Sequence, residues 1–231
     1  MKAFIAYVIL SLFFSQMPKM TNNTYSFLSH SSYITIKINK TGNQSIYFKG
    51  NNIFNDVSRF TNPDEIYINE MKKEGVQSQY YFEKENNTIK LIWNQKIKSC
   101  SEMFVGCSTI EEIDLSQFDS TDVTQIFQMF YGCSSLKHIN FRNFDTSKVV
   151  FMGKMFYGCE SLTSLNLSGF KTSQVTWMNE MFENCYSLVS LNLSNFDTSK
   201  VTEMFNMFNN CVSLVNLDLS NFKTSQLNSM Y

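Results

Sequence analysis

The chain has 231 residues, and its 19 basic and 20 acidic residues give a net charge of −1. A chain of this length can bury a substantial core, and two prolines among many large apolar residues argue against a disordered protein. There is no basic run or patch to neutralise phosphates, so nucleic acid is not expected as a partner.

The N-terminus has the pattern of a signal peptide over residues 1–20, MKAFIAYVILSLFFSQMPKM. Lys2 supplies a positive charge, and residues 3–14 form an apolar run that is too short to span a bilayer. We therefore expect this segment to direct secretion. An uncleaved anchor and the N-terminal strand of a cytosolic protein are the alternatives.

The next segment, residues 21–99, contains no repeat but carries several strand signals. Residues 33–39 (YITIKIN) alternate between apolar and polar side chains, and residues 45–48 do the same after a predicted turn at Gly42. Further strand candidates are residues 65–69, 80–83 and 88–93. We interpret this segment as a small, mostly antiparallel β domain. It either caps the repeats that follow or carries the binding function itself.

The rest of the chain, residues 100–231, is a 26-residue repeat without insertion or deletion. The units are residues 100–125, 126–151, 152–177, 178–203 and 204–229, and a sixth begins with Met230 and Tyr231. Leu162, Leu165 and Leu167 have the spacing of a short strand, and Thr198 or Ser199 is placed to cap a following amphipathic helix. The pattern predicts an α/β solenoid, a leucine-rich-repeat-like stack of strand-plus-helix units.

Five cysteines share the period of the repeat. They are Cys107, Cys133, Cys159, Cys185 and Cys211. A metal site normally needs ligands close together in sequence, whereas each unit supplies one cysteine and the chain has only two histidines. Disulfides between neighbouring units are a second alternative. We favour free, buried thiols that fill the core beside stacked Phe and Met residues.

No enzymatic activity is predicted. His138 lies on the outer surface of a predicted strand, away from the inward thiols, so no base is available to activate a cysteine. The sequence contains no G-x-S-x-G, phosphate-binding loop, zinc-protease or dinucleotide motif. We therefore expect no cofactor, no metal and no small-molecule substrate.

One charged position recurs in every unit and is occupied by residues of both signs. It holds Asp119, Asp145, Lys171, Asp197 and Lys223. Because opposite signs meet between units from Asp145 onward, we expect surface ion pairs that fix the register, each worth about 0–1 kcal/mol. A ligand-binding stripe is the alternative.

The outward residues between the leucines form the candidate ligand face. They are Glu112, Asp114, His138, Asn140, Arg142, Asn166, Asn192 and Asp218. The first two units are varied and charged here, whereas the next two are nearly identical, which places a specific ligand near residues 112–142. A merely solvated face is the alternative.

The unit MF-x-x-C-x-SL-x-x-LNLS-x-FDTS-x-VT-x-M resembles the 26-residue repeat of BspA-like leucine-rich-repeat surface proteins of bacteria. The resemblance covers residues 100–231. It implies a secreted or surface-attached protein, since members of that family are typically so placed and some are implicated in adhesion to matrix proteins or other cells. It supplies no catalytic residues.

These patterns together predict a secreted or cell-surface module for protein binding or adhesion, with a protein, matrix or cell-surface ligand. An intracellular scaffold for protein interactions is the alternative, because reduced cysteines suit that compartment. The chain stops early in a sixth unit, so we also expect a fragment of a longer protein or an end that pairs with another chain. Attachment to a membrane or wall would then use parts outside this sequence.

Overall fold

A computed structural model describes residues 32–47 and 61–228 of the chain. These residues form eleven strands and no helix. The strands are β1 (Ser32–Ile38), β2 (Gly42–Ser45), β3 (Glu65–Ile68), β4 (Met71–Lys72), β5 (Gln79–Phe82), β6 (Asn87–Trp93), β7 (Ile110–Asp114), β8 (His138–Asn140), β9 (Ser164–Leu165), β10 (Ser190–Leu191) and β11 (Asn216–Leu217). The predicted signal peptide, residues 1–20, lies outside the described residues. Within the described part, no helix could span a bilayer.

The largest sheet has six strands in the order β4-β3-β6-β1-β7-β8. Its central strand, β1, is antiparallel to both β6 and β7, while β7 and β8 are parallel. The strand predicted over residues 33–39 is confirmed, and its alternation buries Ile34, Ile36 and Ile38 completely. This sheet joins the N-terminal strands to the first two 26-residue units.

Two smaller sheets complete the described structure. The strands β9, β10 and β11, one from each of the last three units, form a parallel sheet. A separate antiparallel pair is formed by β2 and β5. The predicted turn at Gly42 is instead the first residue of β2, and that strand ends at Ser45, where the prediction begins it.

The prediction of an α/β solenoid with strand-plus-helix units is wrong, because the described residues form small sheets and no helix. In the second unit, the backbone N–H groups of Met129, Tyr131 and Cys133 donate to the carbonyl oxygens three residues earlier, at 3.2, 3.1 and 3.1 Å. These bonds close separate turns, whereas an α-helix bonds each N–H to the carbonyl four residues earlier.

The alternate N–H groups of the same segment point to the next unit. Those of Gln128, Phe130 and Gly132 donate to carbonyl oxygens of the third unit, at 3.1, 2.9 and 2.7 Å. Gln128 and Gly132 have positive φ angles, 55° and 70°, which a right-handed helix cannot contain. The apolar spacing of this segment fits a helix equally well, so the pattern does not reveal that half of the N–H groups bond to a neighbouring unit.

Identical positions of neighbouring units pack directly on each other in the core. The rings of Phe104, Phe130, Phe156, Phe182 and Phe208 lie parallel, with centroids 5.7, 5.6, 5.5 and 5.7 Å apart in turn. Single parallel bridges link Ser99, Gln125, Phe151, Trp177 and Glu203 in the same order. The predicted stacking of phenylalanines is confirmed.

All six cysteines have free thiols. Five are buried and Cys211 is partly buried, and burial raises the pKa of every one of them, that of Cys107 to about 12. The Sγ of Cys133 donates a hydrogen bond to the carbonyl oxygen of Phe104 at 3.1 Å, and that of Cys159 to Phe130 at 3.3 Å. The thiols therefore connect neighbouring units as weak donors.

Candidate functional site

The parallel pairing of β7 and β8 brings four of the predicted ligand-face residues together. Glu112 lies opposite His138, and Asp114 lies opposite Asn140. The Nδ2 of Asn140 donates to the Oδ1 of Asp114 at 3.0 Å. These side chains project from the face of the sheet opposite to the one on which Ile113 is buried.

The N-terminal strands extend this surface, which we call the outer face. The register pairs Thr35 of β1 with both Asp114 and Lys90, and pairs Lys90 with Tyr67. One row of outward side chains therefore crosses the sheet from Tyr67 to Asn140. Thr35, Tyr67 and Lys90 also line a shallow pocket of about 530 Å³.

Cations from the N-terminal strands contribute to the outer face. Lys37 forms an ion pair with Glu112, and the Nζ of Lys90 lies 3.6 Å from the centroid of the Tyr33 ring. Sequence patterns do not identify these residues as part of the face. Their outward positions can be read from the alternation in YITIKIN, but the pairing of β1 with β7 cannot.

Five of the predicted face residues also shape the backbone. Each accepts a hydrogen bond, through its Oδ1, from the N–H two residues later, at 2.9–3.1 Å. They are Asp114, Asn140, Asn166, Asn192 and Asp218. This bond forms an Asx turn, which ends each strand. The N–H of Ser220 lowers the pKa of Asp218 in this way.

The stacking of strands is interrupted between the second and third units. In the described residues no bridge joins β8 to β9, so they belong to different sheets. Phe141 occupies the position that Leu167 and Leu193 hold in later units. Its ring makes edge contacts with the rings of four other phenylalanines, at centroid distances of 5.0–6.1 Å. We attribute the break to this larger side chain.

A second surface pocket, of about 660 Å³, opens at the break, and we call it the seam pocket. It is lined by residues 139–145 of the second unit and by Asn166, Ser168, Gly169 and Lys171 of the third. Three predicted face residues therefore line one pocket: Asn140, Arg142 and Asn166. Of the other five, Glu112, Asp114 and His138 lie on the adjacent strand pair, whereas Asn192 and Asp218 lie one and two units farther along.

Two cations line the seam pocket, and one of them forms an ion pair. The Nζ of Lys171 lies 3.6 Å from the Oδ1 of Asp145. Burial would raise the pKa of Asp145, but hydrogen bonds from Ser147 and the Lys171 charge together lower it. Arg142 is exposed and forms no ion pair with any described residue. Its guanidinium is thus available for a ligand.

The predicted ion pairs between units are confirmed at two places: Lys171 contacts Asp145 at 3.6 Å, and Lys223 contacts Asp197 at 3.7 Å. Lys148 contacts Asp122 at 2.7 Å, a pair between units that was not predicted. The described residues contain no group of three or more His, Cys, Asp or Glu side chains that could hold a metal ion.

Comparison with known proteins gives one family. A family model described as "Mycoplasma protein of unknown function, DUF285" matches residues 42–140, 76–184 and 135–231. No curated protein and no solved structure matches the chain. The assignment to BspA-like leucine-rich-repeat surface proteins is wrong, because a different repeat family is matched and the described residues lack the helices of such units. Since the three matches together span most of the chain, the protein belongs to the DUF285 family of mycoplasma proteins of unknown function.

Proposed function

We propose that the protein is a secreted or cell-surface module that binds another protein through its outer face. What supports the proposal is one observation: cross-strand pairing assembles a single polar row, which runs from Tyr67 to Asn140 and ends beside the unpaired Arg142. Polar rows of this kind, flanked by shallow pockets, suit hydrogen bonding to a protein surface.

The proposed function includes no catalysis. The thiols are the strongest nucleophiles of the chain by type, but burial raises their pKa and keeps them protonated. His138 is exposed on β8, whereas Cys133 and Cys159 are buried. The outer face instead offers amides, carboxylates and cations suited to recognition.

A binding experiment tests the proposal. Type I collagen and laminin, as representative matrix proteins, are immobilised, and binding of the purified chain is measured by surface plasmon resonance. We expect Arg142→Glu to weaken binding by about tenfold, because truncating or reversing an unpaired contact cation typically has that effect. Lys84→Glu, in the turn between β5 and β6, is a control with the same change of charge. Equal loss in both variants, or no saturable binding to either matrix protein, contradicts the proposal.

The location is tested separately, by fractionation of the source cells. Secretion or surface display predicts that the protein leaves the cytosol and loses residues 1–20 or is held by them. Recovery from the cytosol with residues 1–20 intact would instead support the intracellular scaffold, which the free thiols also suit.

A further inference from the structure

One position in the repeat is filled by asparagine in the second, fourth and fifth units but by glycine in the third. The residues are Asn143, Gly169, Asn195 and Asn221. In each of the three units with asparagine, the carboxamide Nδ2 donates to the preceding unit: Asn143 and Asn221 to one backbone carbonyl oxygen each, and Asn195 to three. The third unit lacks that donor, and Gly169 lies in the wall of the seam pocket.

Asn195 shows what the missing group would do. Its Nδ2 donates to the carbonyl oxygens of Leu167, Ser168 and Phe170, at 3.1, 3.4 and 2.9 Å. The oxygens at the corresponding positions one unit earlier belong to Phe141, Arg142 and Phe144. All three of those residues line the seam pocket.

The acceptors at Gly169 remain open. No described residue donates a hydrogen bond to the carbonyl oxygen of Arg142 or of Phe144. A Cβ atom built on Gly169 meets no heavy atom within 4 Å, so the space directly beside its Cα is empty of protein. Each of these carbonyl oxygens has lone pairs with which it accepts a hydrogen bond from a ligand that enters the pocket.

We propose that the seam pocket binds a primary carboxamide, presented by an asparagine or glutamine side chain of a partner polypeptide. The ligand's NH2 group donates to the carbonyl oxygens of Arg142 and Phe144. Asn195 makes the corresponding bonds one unit later, to the carbonyl oxygens of Ser168 and Phe170. Its oxygen accepts from the free guanidinium of Arg142. The inference rests on the proposed protein-binding function and names the group that the outer face selects.

The charges of the pocket favour a neutral amide over the charged alternatives. A carboxylate of the same shape would place its negative oxygens against the carbonyl oxygens and would have no proton to donate. An ammonium group would find the one carboxylate of the pocket lining, Asp145, already paired with Lys171, and would lie beside the unpaired cation Arg142. Of these three groups, only the carboxamide carries both a donor and an acceptor without a net charge.

The test uses tripeptides blocked by an acetyl group and an N-methylamide, so that the side chain carries the only primary amide. Ser-Asn-Phe, the sequence of residues 194–196, is titrated into the ¹⁵N-labelled full chain, with Ser-Asp-Phe and Ser-Ala-Phe as matched controls. We expect saturable shifts of backbone amide resonances at Gly169 and in residues 141–145. The Asp and Ala peptides should bind about five- to tenfold more weakly.

Two variants distinguish the effect of filling the open acceptors from the effect of replacing the glycine. Gly169→Asn supplies the missing carboxamide in cis and should abolish the peptide-induced shifts, whereas Gly169→Ala leaves the acceptors open and should retain them. Equal binding of the Asn and Ala peptides to the wild-type chain overturns the inference without any variant, and so does unchanged binding to a folded Gly169→Asn chain.

Failure of this inference and failure of the proposed function give different results. If the Asn peptide binds selectively but Arg142→Glu has no effect on matrix binding, the carboxamide ligand of the seam pocket is supported and the proposed binding function is rejected. If matrix binding depends on Arg142 but the Asn peptide is not preferred, the carboxamide ligand is rejected and the proposed binding function is supported.

Discussion

Each cysteine of the second to fifth units donates its S–H to the carbonyl oxygen of a phenylalanine in the preceding unit, at 3.0–3.3 Å. A thiolate cannot donate, and burial disfavours its charge. We therefore expect the buried thiols to react slowly with Ellman's reagent in the folded protein at about pH 8, and the partly buried Cys211 to react first.

Mass spectrometry of the labelled protein, taken at successive times, identifies which thiol reacts. In denaturant without reductant, all six cysteines should react. Labelling of Cys133 or Cys159 in the folded chain as fast as Cys211 would show that the thiols are not packed as described. A total below six would show disulfides.

Two glycines of the third unit provide a matched pair for stability. A Cβ on Gly153 would lie 2.6 Å from the Oδ1 and 3.2 Å from the backbone oxygen of Asn179, whereas a Cβ on Gly169 meets nothing within 4 Å. Asn179 is itself 8% exposed, so its side chain has little room to move. We expect Gly153→Ala to lower the free energy of unfolding by about 1–3 kcal/mol.

Replacing Gly169 by alanine should instead raise the free energy of unfolding. Its φ angle lies outside the left-handed region, so alanine fits the backbone and stabilises the protein by about 0.4–1 kcal/mol through the lower entropy of the unfolded chain. Urea unfolding of both variants measures the two changes. Destabilisation at both positions by similar amounts would mean that backbone conformation, and not local space, controls the third unit.

Single threonines connect neighbouring units at the scale of the structural element. The Oγ1 of Thr172, which is 2% exposed, accepts from the N–H of Asp197 at 2.8 Å and donates to its carbonyl oxygen at 3.1 Å. Thr146 and Thr198 make the same pair of bonds with Lys171 and Lys223. One hydroxyl thus satisfies both backbone groups of a residue in the next unit.

We expect Thr172→Val to lower the free energy of unfolding by about 1–2 kcal/mol, because it keeps the shape of the side chain but leaves the part-buried N–H and C=O of Asp197 without this partner. Thr163→Val, at an exposed threonine of the same unit, is the control. Chemical unfolding monitored by tryptophan fluorescence gives both values. A loss at Thr172 no larger than the loss at Thr163 would indicate that water replaces the hydroxyl.

Thr198 also shows where sequence patterns mislead within an element. A threonine before an amphipathic run predicts a helix cap, since such caps bond to N–H groups nearby in sequence. Its partner is instead Lys223, in the next unit. Local propensity carries no information about a bond that exists only once two units are stacked. The 26-residue period, by contrast, predicts that Phe130 packs on Phe156, because identical positions meet when identical units stack.

The seam pocket could be predicted in part. Alignment of the repeat units places Gly169 among asparagines and Phe141 among leucines, and both departures are visible in the sequence. Their consequence is not, because the role of the asparagine appears only in the bonds that Asn195 makes to the preceding unit. A repeat that departs from its own consensus marks a position where the local contacts differ.

At the scale of the whole molecule, β1 is the strand that joins the two parts of the chain. It pairs with β6 on one side and with β7 on the other. Alternation in YITIKIN predicts which side chains are buried but not which strands lie beside it, since periodicity defines a face and not a partner. The N-terminal half of the outer face, with Thr35 and Lys37, follows from that pairing.

The stability of the folded protein at low pH depends on paired carboxylates. Lys148 lowers the pKa of Asp122, and hydrogen bonds from Ser199 lower that of Asp197. A carboxyl whose pKa is lower in the folded state stabilises the protein above its unfolded pKa, about 3.9, and this stability is lost as the pH falls through the folded value. We expect the melting temperature to fall below about pH 4. A melting temperature constant down to about pH 3 would contradict this.

The stability of the folded protein at high pH depends on the thiols. Burial raises the pKa of all six, whereas a thiol of the unfolded chain ionises at about 8.5. Their contribution to stability is therefore fully present below about pH 8.5. At higher pH the unfolded chain releases protons that the folded chain retains, so the free energy of unfolding falls, by up to about 1.4 kcal/mol per pH unit for each buried thiol.

This dependence predicts that the free energy of unfolding decreases steeply between about pH 8.5 and pH 10, and that removing a buried thiol makes the decrease shallower. Cys159→Ala should reduce the slope more than Cys211→Ala, because Cys211 is only partly buried and its thiolate is therefore less disfavoured in the folded chain. Urea unfolding at successive pH values, with reductant present, measures the slope independently of the loss that each substitution causes at neutral pH. Identical slopes in the wild-type chain and in Cys159→Ala would mean that this thiol ionises as readily in the folded stack as in the unfolded chain.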